Sequence, residues 1–239
     1  MPNWTYTTYV FRSKEKEPVQ DFRNKLLIWT QEKSLCENAW DGSSYWLGNI
    51  LLHAGFEYDD KYGGFHECHC RGSIEEIREL EEESLHNENF FYFIVTTETA
   101  WVEMPKMWNL IIDKLYSGKI EFGFIAEEET CDYVDRYRPD ILELNVIKTE
   151  DKYWLDHYVK YYGDKEFQWL DNYAGAIDAK LAAEILSRLL KREVAEEDIT
   201  KPIQRDSLLD AVNELLENID EDYYLRIIEI NDVSPNDFE

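Results

Sequence analysis

The sequence predicts an α+β fold with a mainly antiparallel sheet, and three observations carry that reading. Phe90, Phe91, Tyr92, Phe93, Ile94 and Val95 form an unbroken apolar run. It is too short for a buried helix and rich in strand-forming types, so it reads as a central strand covered on both faces. A helix and a second strand follow it, giving a β-α-β unit from Asn89 to Ala126. The amino-terminal stretch repeats the β-then-α order.

Within the β-α-β unit, Thr96 to Glu103 breaks the apolar pattern, and Pro105 supplies the fixed φ and missing N–H that suit a first helical position. Met104, Trp108, Ile111 and Leu115 recur at helical spacing opposite Lys106, Asn109, Asp113 and Lys114, so one face is core. Gly118 suits a left-handed cap. Ile120, Phe122 and Phe124 then alternate with Glu121 and Gly123, as in a strand with one wet face.

Taken from the start, Trp4 to Arg12 alternates strand-forming residues, and Pro18, Phe22, Leu26 and Trp29 mark the first helix. Ser44 to Ala54 is a second helix. Gly63-Gly64 is a turn, and Phe65 to Arg71 is a strand with His66, Cys68 and Cys70 on one face and His69 on the other. Ser73 with Glu76 is a capping box for a helix over Ile74 to Leu80. Ile141 to Ile147 is a short strand after Pro139. Tyr153, Trp154, Tyr158, Tyr161, Tyr162, Phe167 and Trp169 suggest an aromatic helix over the sheet. Strong helical stripes follow at Ile177 to Leu190 and Leu208 to Ile219, and Tyr223 to Ile230 is a last strand. The order fits a ferredoxin-like sandwich over residues 1–147, with a helical, aromatic-rich extension over residues 148–239.

Two motifs add a resemblance. Met1-Pro2-Asn3-Trp4, and Thr97-Glu98-Thr99-Ala100-Trp101 ahead of the Pro105 helix, resemble the YubB-like family of plasmid- and phage-borne proteins. The likeness spans about Met1 to Leu144. It departs at Thr5, where a Cys is common, and at Val102-Glu103-Met104, where a Ser-Pro-Pro type turn is expected. It implies a ferredoxin-like domain and a mobile-element setting, and it carries no activity.

Fifty-one acidic residues against 25 basic ones give a formal charge of −26. Such a field repels phosphate backbones and anionic membranes and attracts basic partners, so a basic protein is the expected partner class, with no direct nucleic acid and no membrane. Residues 2 to 20 lack the basic segment and apolar core of a signal peptide, and no run suffices to span a bilayer, which gives a cytoplasmic expectation. Four cysteines in 239 residues make no disulfide framework.

Gly-x-Gly-x-x-Gly, P-loop, His-Glu-x-x-His and Gly-x-Ser-x-Gly patterns are absent. The leading expectation is therefore a non-enzymatic interaction protein, in its most specific form an acidic decoy that blocks a basic nucleic-acid-binding protein through Glu81, Glu82, Glu83, Glu127, Glu128, Glu129 and Asp132. The alternative is a thiol- or metal-dependent enzyme using Cys68 and Cys70. Its metal ligands would be His66, Cys68, Cys70 and Cys131, but on a strand His66 and Cys70 lie about 13 Å apart, so no cofactor is expected. Thr97, Glu98, Trp101 and Glu103 form the mouth between strand and helix, with Trp101 expected to plug the core.

Overall fold

The computed structural model describes residues 3–32, 44–59, 64–66, 68, 70–130, 133–158 and 167–234. The chain divides into two units: one comprises Met1–Thr130, Asp135–Val146 and Asp232–Glu239, and the other Cys131–Val134 and Ile147–Asn231.

In the first unit the elements run β1 (Trp4–Ser13), α1 (Lys16–Trp29), α2 (Leu47–His53), β2 (Tyr58–Asp59), β3 (Gly64–Phe65), β4 (Gly72–Ile77), β5 (Glu81–Leu85), β6 (Glu88–Ala100), α3 (Pro105–Tyr116), β7 (Glu121–Glu128), β8 (Val134–Tyr137) and α4 (Pro139–Leu142). They build an α+β architecture on a seven-stranded, mainly antiparallel sheet. Its order is β12-β8-β7-β1-β6-β4, where β12 is Asn231–Asp232 and β5 also pairs β6. Both β6 and β7 pair β1 antiparallel, so they run parallel to each other with β1 between them, and α3 makes the crossover. The apolar run is central, as its composition requires. It continues to Ala100, because Thr97 and Thr99 pair Thr7 and Thr5 of β1.

Strand parity decides the layers. Tyr9 and Phe11 share a face with Phe93, Val95, Phe122 and Phe124, and this face buries Val19, Phe22 and Leu26 of α1 and Met107, Trp108 and Ile111 of α3. The aromatic contacts are edge-on where they cross layers, as at Phe11–Phe22 (5.3 Å, 87°) and Phe11–Trp108 (5.1 Å, 68°).

The other face carries Val10, Ile94 and Ile125, all buried. The expectation of a wet face beside Phe122 and Phe124 is therefore corrected: Gly123 is buried because the chain at Tyr137, Arg138 and Ile141 crosses directly over it. Arg12 bridges to this cover, with Nε 3.1 Å from Glu121 and Nη2 2.8 Å from Asp140, and Arg138 pairs the same two carboxylates. Burial alone would raise the Asp140 carboxyl, but Arg138 and Arg12 outweigh it and hold the group below its ordinary value. A carboxylate depressed in this way stabilises the fold above its unfolded value of about 3.9, and the contribution is lost as pH falls through the lower folded value. Arg138→Gln is therefore expected to move the Asp140 titration upward, read from its side-chain carboxyl resonance; an unmoved midpoint would mean that Arg138 is not its partner.

Three local expectations fail for physical reasons. Ser73 to Leu80 is not a capped helix but β4, since edge pairing to β6 buries Ile74, which a seven-residue helix would leave half wet. Ser73 Oγ instead bonds Glu75, at 3.0 Å. Of the expected Phe65–Arg71 strand, Phe65 alone among the described residues lies in a strand, at the end of β3, which pairs β2. In place of a strand over Ile141 to Ile147, Pro139 starts α4, and Asn145 at φ +65° ends the following turns.

The second unit holds β9 (Tyr153–Tyr158), a 3₁₀ turn (Gln168–Asn172), β10 (Gly175–Ile177), α5 (Ala179–Leu190), α6 (Glu196–Ile199), α7 (Pro202–Glu217) and β11 (Tyr224–Glu229). The three strands form an antiparallel sheet in the order β10-β9-β11. The aromatic helix is corrected here: Tyr153 and Leu155 are buried while Trp154 and Asp156 are half-exposed, a period of two that suits a middle strand. Tyr161 and Tyr162 lie outside the described residues. Leu155, Ile177, Leu225 and Ile227 meet Ile185 and Leu186 of α5 and Val212 and Leu216 of α7 in a core of their own. Asp178 caps α5, accepting from Leu181 N at 2.7 Å, and Asn213 grips β11 through both polar atoms of Leu225. No helix among the described residues is long and apolar enough to cross a membrane.

Candidate functional site

The outer edge of the large sheet beside β6 is made by β4 and β5 in succession. The β4 register slips between Ile74 and Glu76, a bulge that leaves Glu75 and Glu76 both exposed. In β5, Glu81, Glu82 and Glu83 oppose Tyr92, Phe91 and Phe90, with Glu81 and Glu82 exposed and Glu83 half-exposed. A hairpin turn at His86 and Asn87, both at positive φ, returns the chain to β6. Tyr92 OH donates to Glu81 at 2.7 Å, and Asn145 donates to the same hydroxyl. Burial, reinforced by the hydrogen bond to Glu81, pushes the Tyr92 hydroxyl far up, so it remains a donor that fixes this carboxylate. Arg78 pairs Glu76 and Arg23 pairs Glu79. Glu75, Glu81, Glu82 and Glu83 form no ion pair among the described residues.

A second acidic group lies at the other end of the sheet. Tyr6 of β1 sits between Glu98 and Glu127 in the cross-strand register, and Trp4 N lies 3.4 Å from the Glu129 carboxylate. Burial, then the charge of Glu98 and a hydrogen bond to it, raise the Tyr6 hydroxyl, with Glu129 and Glu127 adding to the shift. Tyr6 is 41% exposed, and Trp101 and Val102 nearby are 50% and 54% exposed. The reading of Trp101 as a core plug is corrected: at φ +74° it turns outward, where Arg71 stacks on its ring at 4.8 Å. Thr99 Oγ1 donates to Val102 O at 2.7 Å and holds this turn.

The acidic residues singled out from sequence therefore separate. Glu129 is exposed and Glu127 half-buried, whereas Glu128 is 3% exposed and faces the core side of β7 in line with Ala126 and Phe124, where it accepts from Thr130. It is removed from the candidate surface. Asp132 lies outside the described residues. Tyr92, opposite Glu81, and Glu98, opposite Tyr6, are six residues apart on β6, about 20 Å at strand rise, so Glu81 to Glu83 stand apart from the second group, whereas Glu75, at the bulge beside Thr96 and Thr97, lies within two residues of Glu98. Tyr6 and Glu98 were missed as members of the second patch; their matching parity on paired strands was the available signal.

The sulfur-bearing segment is arranged differently. His66 is exposed and pairs Asp59 at 3.1 Å, while Cys68 is buried and Cys70 Sγ lies 3.9 Å from the Met107 sulfur. Cys131 lies outside the described residues. Among the described residues no three His, Cys, Asp or Glu side chains converge as a metal site requires. Burial, with the neighbouring Cys68 adding to it, pushes the Cys70 thiol well up, whereas a nucleophilic thiol needs the opposite shift.

No family model, curated protein or solved structure matches the chain.

Proposed function

We propose that the protein is a non-catalytic interaction protein of mobile-element type that acts in the cytoplasm as an acidic decoy, occupying the basic nucleic-acid-binding surface of a partner protein. The strand order β7-β1-β6-β4, with two β-α-β crossovers over one face, supports a ferredoxin-like frame for it. The observation that carries the function is the row Glu75, Glu81, Glu82 and Glu83 on the outermost strands, none of them in an ion pair among the described residues. Alternate residues of an extended strand share a face, so Glu81 and Glu83 repeat on one side about 6.8 Å apart with Glu82 on the other, and a surface that reads backbone charge meets a regularly repeated negative charge here.

Charged edges also deter sheet-to-sheet addition, and lysine serves that purpose as well as glutamate. The two roles separate on charge reversal. The immobilised protein is used to capture partners from a bacterial lysate at low and high salt, and the captured material is challenged with duplex DNA. A decoy is expected to release its partner to DNA and to high salt, and to lose it altogether in the Glu81→Lys, Glu82→Lys, Glu83→Lys variant. Attraction with a reach of about 8 Å at physiological ionic strength cannot survive either change. Capture that persists through salt, DNA and reversal would reduce the acidity to a solvated surface.

A further inference from the structure

In the second unit a cleft of about 610 Å³ opens between the end of α5 and the later turns of α7, beside the 3₁₀ turn. Its floor is apolar: Val212 and Leu216 are each 1% exposed, and Leu190 and Trp169 stand along its sides. The volume falls within the range of about 300–1,000 Å³ typical of small-molecule sites, which are mostly apolar with a few placed polar groups.

The placed groups here are cations. Arg188 lies with its guanidinium 3.7 Å from the Trp169 ring centroid, and Lys191, the left-handed cap of α5, lines the same cleft. In a chain with twice as many acidic as basic residues, neither of these two forms an ion pair among the described residues. Cations at a helix C-terminus complement its dipole, which accounts for their sign. It does not account for a guanidinium stacked on an indole at the edge of an apolar cavity. Such an arrangement sets an apolar slot beside a positive rim, and a rim of two cations suits one carboxylate better than a polyphosphate.

We infer that this cleft binds a small amphipathic carboxylate, its hydrocarbon or aryl body against Val212, Leu216 and Leu190 and its anionic head at Arg188 and Lys191. The site is independent of the acidic edge and does not rest on the decoy reading. An uncharged isostere keeps the body and loses the head contacts, and a cationic one meets repulsion, so selectivity among matched chains reports the geometry.

The test uses the full chain and 8-anilinonaphthalene-1-sulfonate, an aromatic monoanion, as a fluorescent reporter displaced by decanoate, decanol or decylammonium below their aggregation limits. Decanoate is expected to displace the reporter with one-to-one stoichiometry and to bind at least about tenfold more tightly than decanol, the worth of one charge-assisted hydrogen bond. Arg188→Gln with Lys191→Gln, both on exposed side chains, is expected to abolish that preference, so that decanoate binds no more tightly than decanol. Leu215→Trp, a half-exposed lining position, is expected to block all three. Equal binding of the three chains, displacement indifferent to the double substitution, or no displacement at all would overturn the inference.

Discussion

Replacing Trp108 with alanine is expected to destabilise the first unit by about 3 to 5 kcal/mol, the usual cost of emptying a large buried aromatic site. Trp108 is fully buried on α3, with ring centroids 5.6 Å from Tyr9, 5.1 Å from Phe11 and 6.2 Å from Phe22. These partners come from β1 and α1, so the indole is the point where three elements meet and no single one can relax into the space. Tyr9 is committed as well, since its hydroxyl accepts from Met104 N at 2.9 Å, immediately before α3. Because the chain has two cores, the loss is best read from hydrogen exchange of β1 and β6 amides alongside chemical denaturation. A loss below about 1 kcal/mol would mean that the α3 face is not the one described.

Trp108 also marks what the sequence made legible. A six-residue apolar run and an amphipathic helix behind a proline are local signals, and the structure places both in the core. The stripe through Ile185 and Leu186 was equally readable. Failures came where a distant partner decides. Ser73 to Leu80 carries a capping signature, yet β6 offers it a ladder of hydrogen bonds, and tertiary pairing outweighs a short helix. Gly123 looked like a solvent-facing position because nothing near it in sequence announces that Tyr137 and Arg138 will cross over it.

The candidate surface divides in the same way. Density of charge alone made Glu81, Glu82 and Glu83 visible. Glu128 was misplaced because an acidic run looks like exposed chain beyond a strand, whereas β7 extends to Glu128 and the parity set by Phe122 and Phe124 turns its carboxylate inward. Trp101 was misplaced for a conformational reason, since it stands at a positive φ with its side chain turned out of the fold.

Gly72→Ala is expected to cost about 2 to 4 kcal/mol locally, from left-handed strain together with overpacking. Gly72 stands at φ +137°, and an added Cβ would lie 2.3 Å from Glu98 O and 2.7 Å from Thr99 Cα, both backbone atoms of the paired strand. Neither can rotate away, so the start of β4 must leave β6. The amide of Ile74, which donates to Tyr45 O at 3.0 Å, is then expected to lose protection while Trp108 keeps its environment. Charge is untouched by this substitution, which makes it informative about the acidic edge. If the decoy depends on carboxylates held along the β6 edge by β4 and β5, from Glu75 to Glu83, capture of a basic partner weakens in Gly72→Ala although every glutamate remains. Unchanged capture, with exchange at Ile74 accelerated, would show that net charge alone attracts the partner and that the extended geometry of the edge plays no part.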